Sequence, residues 1–120
     1  MSPADTLKRE EAAAARKALE DRLALHLRAH KVPHTREFSL PGRAFRWDFA
    51  FPDARLLVEV HGGIWRAKGA HNTGSAIQRD CEKAAYATGQ GWRHFAVTGD
   101  QITSGQALAW IKTALEATCL

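Results

Sequence analysis

The chain has 120 residues, enough for one domain built around a single hydrophobic core. Apolar residues make up 45% and charged residues 25%, and no apolar run approaches the length of a membrane span. The net charge of +4 favours a polyanionic partner, and two cysteines, Cys81 and Cys119, are too few for a disulfide scaffold.

Ser2-Pro3 followed by Asp5 predicts a helix start: a hydroxyl cap, proline in the first turn and an acid beside the positive helix end. The charged N-terminal residues lack the apolar core of a signal peptide, and a reducing, cytoplasmic setting is expected. Residues rich in Ala, Leu, Glu, Lys and Arg continue the helix to about Ala29, with Leu19, Leu23 and Leu27 as its packing stripe. The less apolar residues 1–18 read as a helical extension of a single domain spanning 1–120. Val32-Pro33 ends the helix.

Residues 35–40 are a first strand, turned by Pro41-Gly42. Glu37 within it reads as an edge-strand solubiliser or, more sharply, as a third acid near a site. Next comes AFRWDFAFPDARLLVEVH, residues 44–61, the centre of the chain. Phe45, Trp47, Phe49 and Phe51 alternate with Ala44, Arg46, Asp48 and Ala50; Leu56, Val58 and Val60 alternate with Leu57, Glu59 and His61. Pro52-Asp53 between the runs predicts an antiparallel hairpin. A two-residue turn at Asp53 and Ala54 puts Pro52 opposite Arg55, Asp48 opposite Glu59 and Arg46 opposite His61. Like charges so opposed, roughly 5 Å apart at Cβ, destabilise a sheet. A cation must offset them, either a neighbouring arginine such as Arg46 or Arg55, or a hard divalent ion.

After the strand, Gly62-Gly63 leads to a loop with Arg66, Lys68, His71 and Asn72, a basic segment suited to phosphate. Thr73 or Ser75 caps a second helix to about Thr88, with Ile77, Cys81, Ala84 and Ala85 as its packing face. Arg79 and Lys83 share a face of it near Asp80 and Glu82, where intrahelical ion pairs are the ordinary expectation. Residues 92–97 form a fourth strand, parallel to the third across the helical crossover, and 99–103 a loop. Ser104 caps a last helix whose stripe is Leu108, Ile111 and Leu115. A zinc site from Cys81, His61, His71 and His94 fits no common ligand spacing, and His71-Asn72 lacks the ββα surroundings of a His-Asn-His nuclease.

The order α-β-β-β-α-β-α, an aspartate on the second strand and Glu-x-polar on the third, resembles the PD-(D/E)XK, restriction-endonuclease-like nucleases. RWDFAFPDARLLVEVHGGIW and DCEKAAYATGQGWRHFAVTGDQI are similar to small phage and prophage endonucleases of the very-short-patch-repair branch, over about residues 19–115. The resemblance implies an α/β fold, a three-layer sandwich with a mixed sheet of about four strands. It implies Asp48 and Glu59 as ligands of Mg2+ or Mn2+, with the Val60 carbonyl as a third. His61 stands where the motif has lysine, and His61 and His71 are similar to two histidines of that branch. Lys83 is the other source of the missing cation, and Glu20 matches a first-helix glutamate. Arg46, Arg66, Lys68 and Arg79 are then candidate DNA contacts. The implied activity is metal-dependent hydrolysis of DNA phosphodiesters in a bacterial host, structure-selective or nicking, with the first helix as a candidate homodimer surface. Two rivals stand beside it: a DNA binder of the same fold without cleavage, for which His61 is the argument, and a module that binds a host protein.

Overall fold

The computed structural model describes residues 2–62 and 74–117. The elements run α1 (Pro3–Ala29), β1 (Thr35–Ser39), β2 (Arg46–Phe51), β3 (Leu56–His61), α2 (Gly74–Gly89), β4 (Arg93–Thr98), α3 (Gly99–Thr103) and α4 (Gln106–Glu116). They divide into two compact units, Met1–Pro33 with Val60–Ile64 and Val97–Leu120, and His34–Glu59 with Trp65–Ala96.

In the first unit α1 starts as its sequence dictates. The Ser2 hydroxyl accepts from the Asp5 N–H at 3.1 Å, and the Asp5 carboxylate returns to the Ser2 N–H, a reciprocal capping box. Leu23, Ala24 and Leu27 are fully buried, while Leu19 is half-buried. The residues expected as a loop after β4 form instead the short helix α3. Thr98-x-x-Gln101 is a second capping box, the Thr98 hydroxyl accepting from the Gln101 N–H at 3.3 Å. Gly105 occupies the cap position of α4, and the Ser104 hydroxyl accepts from the Gln106 N–H at 3.3 Å. Ile102, Ala107, Leu108 and Ile111 are buried, with Leu115 half-buried.

The second unit holds the sheet, ordered β1-β2-β3-β4. β1 and β2 are antiparallel, with Phe38 opposite Trp47; β2 and β3 are antiparallel, with Phe49 opposite Val58 and Ala50 opposite Leu57. The sheet is mixed, so β4 lies parallel to β3, and the Arg93 N–H donates to the Arg55 carbonyl at 2.9 Å where the two strands begin. The crossover from β3 to β4 includes α2, as a parallel pair requires.

The β2–β3 register is the one expected from a connection centred on Asp53 and Ala54, but the turn differs. The ladder closes at Phe51 opposite Leu56. Pro52–Ala54 form a 3-10 turn and Arg55 takes φ +49°, its N–H donating to the Pro52 carbonyl at 3.1 Å. Pro52 therefore does not pair with Arg55 as a ladder residue. The proline's fixed φ suits the start of that turn, and the even number of connecting residues preserves the register. β2 also lacks a single apolar face. Trp47, Phe49, Ala50 and Phe51 are all buried, because both sides of the strand are covered.

The face of α2 is likewise corrected. Ile77 is 53% exposed, Cys81 and Ala85 are exposed, and Ala84 is half-buried. Ala87 is fully buried and Tyr86 half-buried, packed with Leu40, Phe45, Trp47, Ala50 and Leu57. A small residue at the closest approach and an aromatic ring beside it outweigh the more apolar but isolated Ile77. Cys81 is an exposed free thiol. Ser75 lies inside the helix, so it is not the cap, and Thr73 lies outside the described residues.

Tyr86 also fastens the β1–β2 loop. Its hydroxyl donates to the Pro41 carbonyl, and Gly42 takes φ +93° with the place of a Cβ only 2.6 Å from that hydroxyl oxygen. Gly42→Ala is expected to lower stability by about 1–3 kcal/mol through backbone strain and this clash. A thermal melt checks it, and Tyr86→Phe in the same chain should restore part of the loss by removing the clashing oxygen.

Candidate functional site

Continuing the β2–β3 register by one residue sets Asp48 opposite Glu59, on adjacent strands and one face. Both are half-buried. Opposed carboxylates there demand a positive charge, and α2 supplies one. The Lys83 ammonium forms an ion pair with the Glu59 carboxylate; the two side chains are 17% and 24% exposed. It also donates to the Arg46 carbonyl at 2.5 Å and lies 4.9 Å from the centre of the Trp47 ring. The cation shown on Glu59 is Lys83. Arg46 takes part through its backbone oxygen, and its side chain is exposed.

Lys83 does not follow the intrahelical expectation. Its partner lies 24 residues away, and Glu82 instead accepts from the Gln78 amide at 3.4 Å and lies 3.7 Å from Arg43. In the sequence Trp47 stands out only as an apolar strand residue, and nothing marks Arg43. The signal for the face they meet is the spacing Arg79, Lys83, Tyr86, one stripe of a helix.

In the first unit Glu20 pairs with Arg16 through its Oε2 at 3.3 Å, and its side chain is 15% exposed. The Arg16 Cβ lies 3.4 Å from where a Cβ on Gly62 would sit, so Arg16 connects Glu20 to the end of β3. His61, two residues beyond Glu59, is exposed, and Val60 between them is buried. His94, in β4, lies 3.3 Å from the Thr88 hydroxyl. Arg66, Lys68 and His71 lie outside the described residues. Glu37 is exposed, as an edge-strand solubiliser would be, with φ +51°.

Among the described residues no group of three or more His, Cys, Asp and Glu side chains is placed to hold a metal ion. The zinc grouping around Cys81 is therefore absent from them. Two carboxylates remain compatible with magnesium, which takes one or two protein carboxylates and keeps several waters. All-oxygen donors, two of them anionic, are the chemistry a hard cation selects. Among the described residues no helix is long and apolar enough to cross a membrane.

The chain matches no family model, and no curated protein matches it. Among solved structures it is similar to the catalytic domain of the homing endonuclease I-Bth0305I. That similarity covers 83% of this chain and 95% of that one, with a TM-score of 0.63 and 17% identity. Identity that low carries the fold alone: a nuclease-like α/β sandwich with a mixed four-stranded sheet and four helices.

Proposed function

We propose that this chain is a metal-dependent DNA endonuclease of the PD-(D/E)XK type, with Asp48, Glu59 and Lys83 as its centre. The observation that carries the reading is the half-buried Asp48–Glu59 opposition with the Lys83 ammonium on Glu59. Such an arrangement costs stability in the sheet and has a chemical use. The nuclease-like fold and the net charge of +4 also support it.

In this reading Asp48 and Glu59 hold a Mg2+ or Mn2+ ion, with the Val60 carbonyl as a further oxygen donor. The ion, when bound, polarises the scissile phosphate and acidifies a coordinated water. Lys83 fills the role of the motif lysine in place of His61: its ammonium offsets charge gathering on the phosphate oxygens and holds the attacking water. Pairing with Glu59 fixes that ammonium before substrate arrives, so little reorganisation is needed. His61 and His71 would share proton transfer at the leaving oxygen, so that loss of the exposed His61 alone is largely made up, and Glu20 would orient groups at the end of β3 through Arg16. Arg46, Arg66, Lys68 and Arg79 would meet DNA phosphates.

The test is cleavage of supercoiled plasmid and of a branched junction with Mg2+ or Mn2+. Wild type should cut, and Asp48→Ala and Glu59→Ala should each lose about 10^3-fold or more in rate at a temperature where both remain folded. A wild type that cuts neither DNA with either metal would make the protein a nuclease-fold DNA binder without cleavage.

A further inference from the structure

The loop between β1 and β2 and the outer turns of α2 carry a second feature, built on aromatic rings. Phe45 and Trp47 are buried, with ring centres 6.3 Å apart, and Tyr86 lies 6.2 Å from Phe45. Cations sit along this row. The Arg43 guanidinium is 4.3 Å from the Phe45 centre and 5.9 Å from Tyr86. Arg79 is 5.8 Å from Phe45, and Lys83, one helical turn on, lies over Trp47.

Three facts say what this row is for. Phe45 and Trp47 are covered and offer no stacking surface to a base, Tyr86 is half-buried, and Arg43 and Arg79 are exposed. A guanidinium resting on a ring keeps its edge N–H groups free for a bidentate contact with a phosphate and loses less rotamer freedom on binding. The loop bearing Arg43 is anchored by the Tyr86 hydroxyl on Pro41, so it stands prearranged. Glu82 lies 3.7 Å from Arg43 with both side chains about half exposed, an ion pair that a phosphate can displace at small cost.

We propose that Arg43 and Arg79, seated on Phe45, dock the DNA phosphate backbone one helical turn from Lys83. The proposal rests on the endonuclease reading and gives it a substrate-binding surface. The contact reads phosphates and not bases, so it contributes equally on every sequence. Glu82 acts as its brake by occupying Arg43.

The test is the affinity of the full chain for a short fluorescent duplex in chelator, followed by anisotropy across about 50–200 mM salt. Arg43→Gln with Arg79→Gln should weaken binding about 100-fold at the lowest salt and flatten the log–log salt slope by about two. The same charge loss on α1, Arg9→Gln with Arg22→Gln, should change both far less. Glu82→Gln should tighten binding about 2–5-fold, more than the equal charge change Glu10→Gln on α1. An unchanged slope in the Arg43/Arg79 variant, or an equal loss in the α1 variant, would overturn the docking surface and leave the endonuclease reading standing. Wild type without salt-dependent affinity would overturn both. If the double arginine variant does not fold, the Glu82→Gln comparison decides, and no tightening beyond the α1 control overturns the proposal.

Discussion

Lys83→Met is expected to slow DNA cleavage by about 10^2–10^3-fold, whereas His61→Ala should cost less than about 10-fold. The contrast follows from where the two side chains are. Lys83 is 17% exposed, paired with Glu59 and bonded to the Arg46 carbonyl, while His61 is exposed at the end of β3. A cation held in place before the reaction stabilises developing phosphate charge without reorganising; a solvated one loses much of that effect. Lys83→Met should also lower the melting temperature, since Glu59 would stay half-buried opposite Asp48 without its cation, at about 1–3 kcal/mol. Rates must therefore be compared below both transitions. A loss in His61→Ala as large as that in Lys83→Met would return the motif-lysine role to the histidine.

The largest effect on stability is expected at Phe49. Its side chain is fully buried in the middle of β2, next to Asp48 and opposite Val58, with His34 5.8 Å from its ring centre and the Arg36 guanidinium 5.4 Å away. Phe49→Ala should cost about 3–5 kcal/mol, a transfer loss plus the cavity left by the ring. Against a total of about 5–15 kcal/mol this is a large share, visible as a drop of about 10–25 °C in melting temperature. The variant should still cut DNA well below its transition, because Phe49 supports the strand and not the chemistry. Urea denaturation measures the loss directly.

The strand pairing was readable in the sequence because two apolar runs flank Pro52-Asp53, and centring the connection on Asp53 and Ala54 sets the register that is found. The turn differs from that expectation: Pro52–Ala54 form a 3-10 turn, and the left-handed conformation falls on Arg55 beyond the two residues expected to turn. The α1 start was legible because Ser2-Pro3 with Asp5 is a local signal satisfied by local bonds. A signal of the same kind, Thr98 with Gln101, starts α3. The face of α2 was not legible from apolarity, since Ile77 is apolar but 53% exposed, whereas Tyr86 and Ala87 pack on the core. In the site, the opposition of Asp48 and Glu59 could be derived from pairing alone. The bond from Lys83 to Glu59 could not: it depends on how a helix 24 residues away is turned toward the strand.

The most direct test of the central claim is a calorimetric titration of Mn2+ into the folded chain without DNA. If Asp48 and Glu59 hold one cation between them, wild type binds a single equivalent, and Asp48→Ala and Glu59→Ala each lose it. Equal Mn2+ binding by wild type and both variants would contradict the account, because the opposed carboxylates would then hold no shared ion.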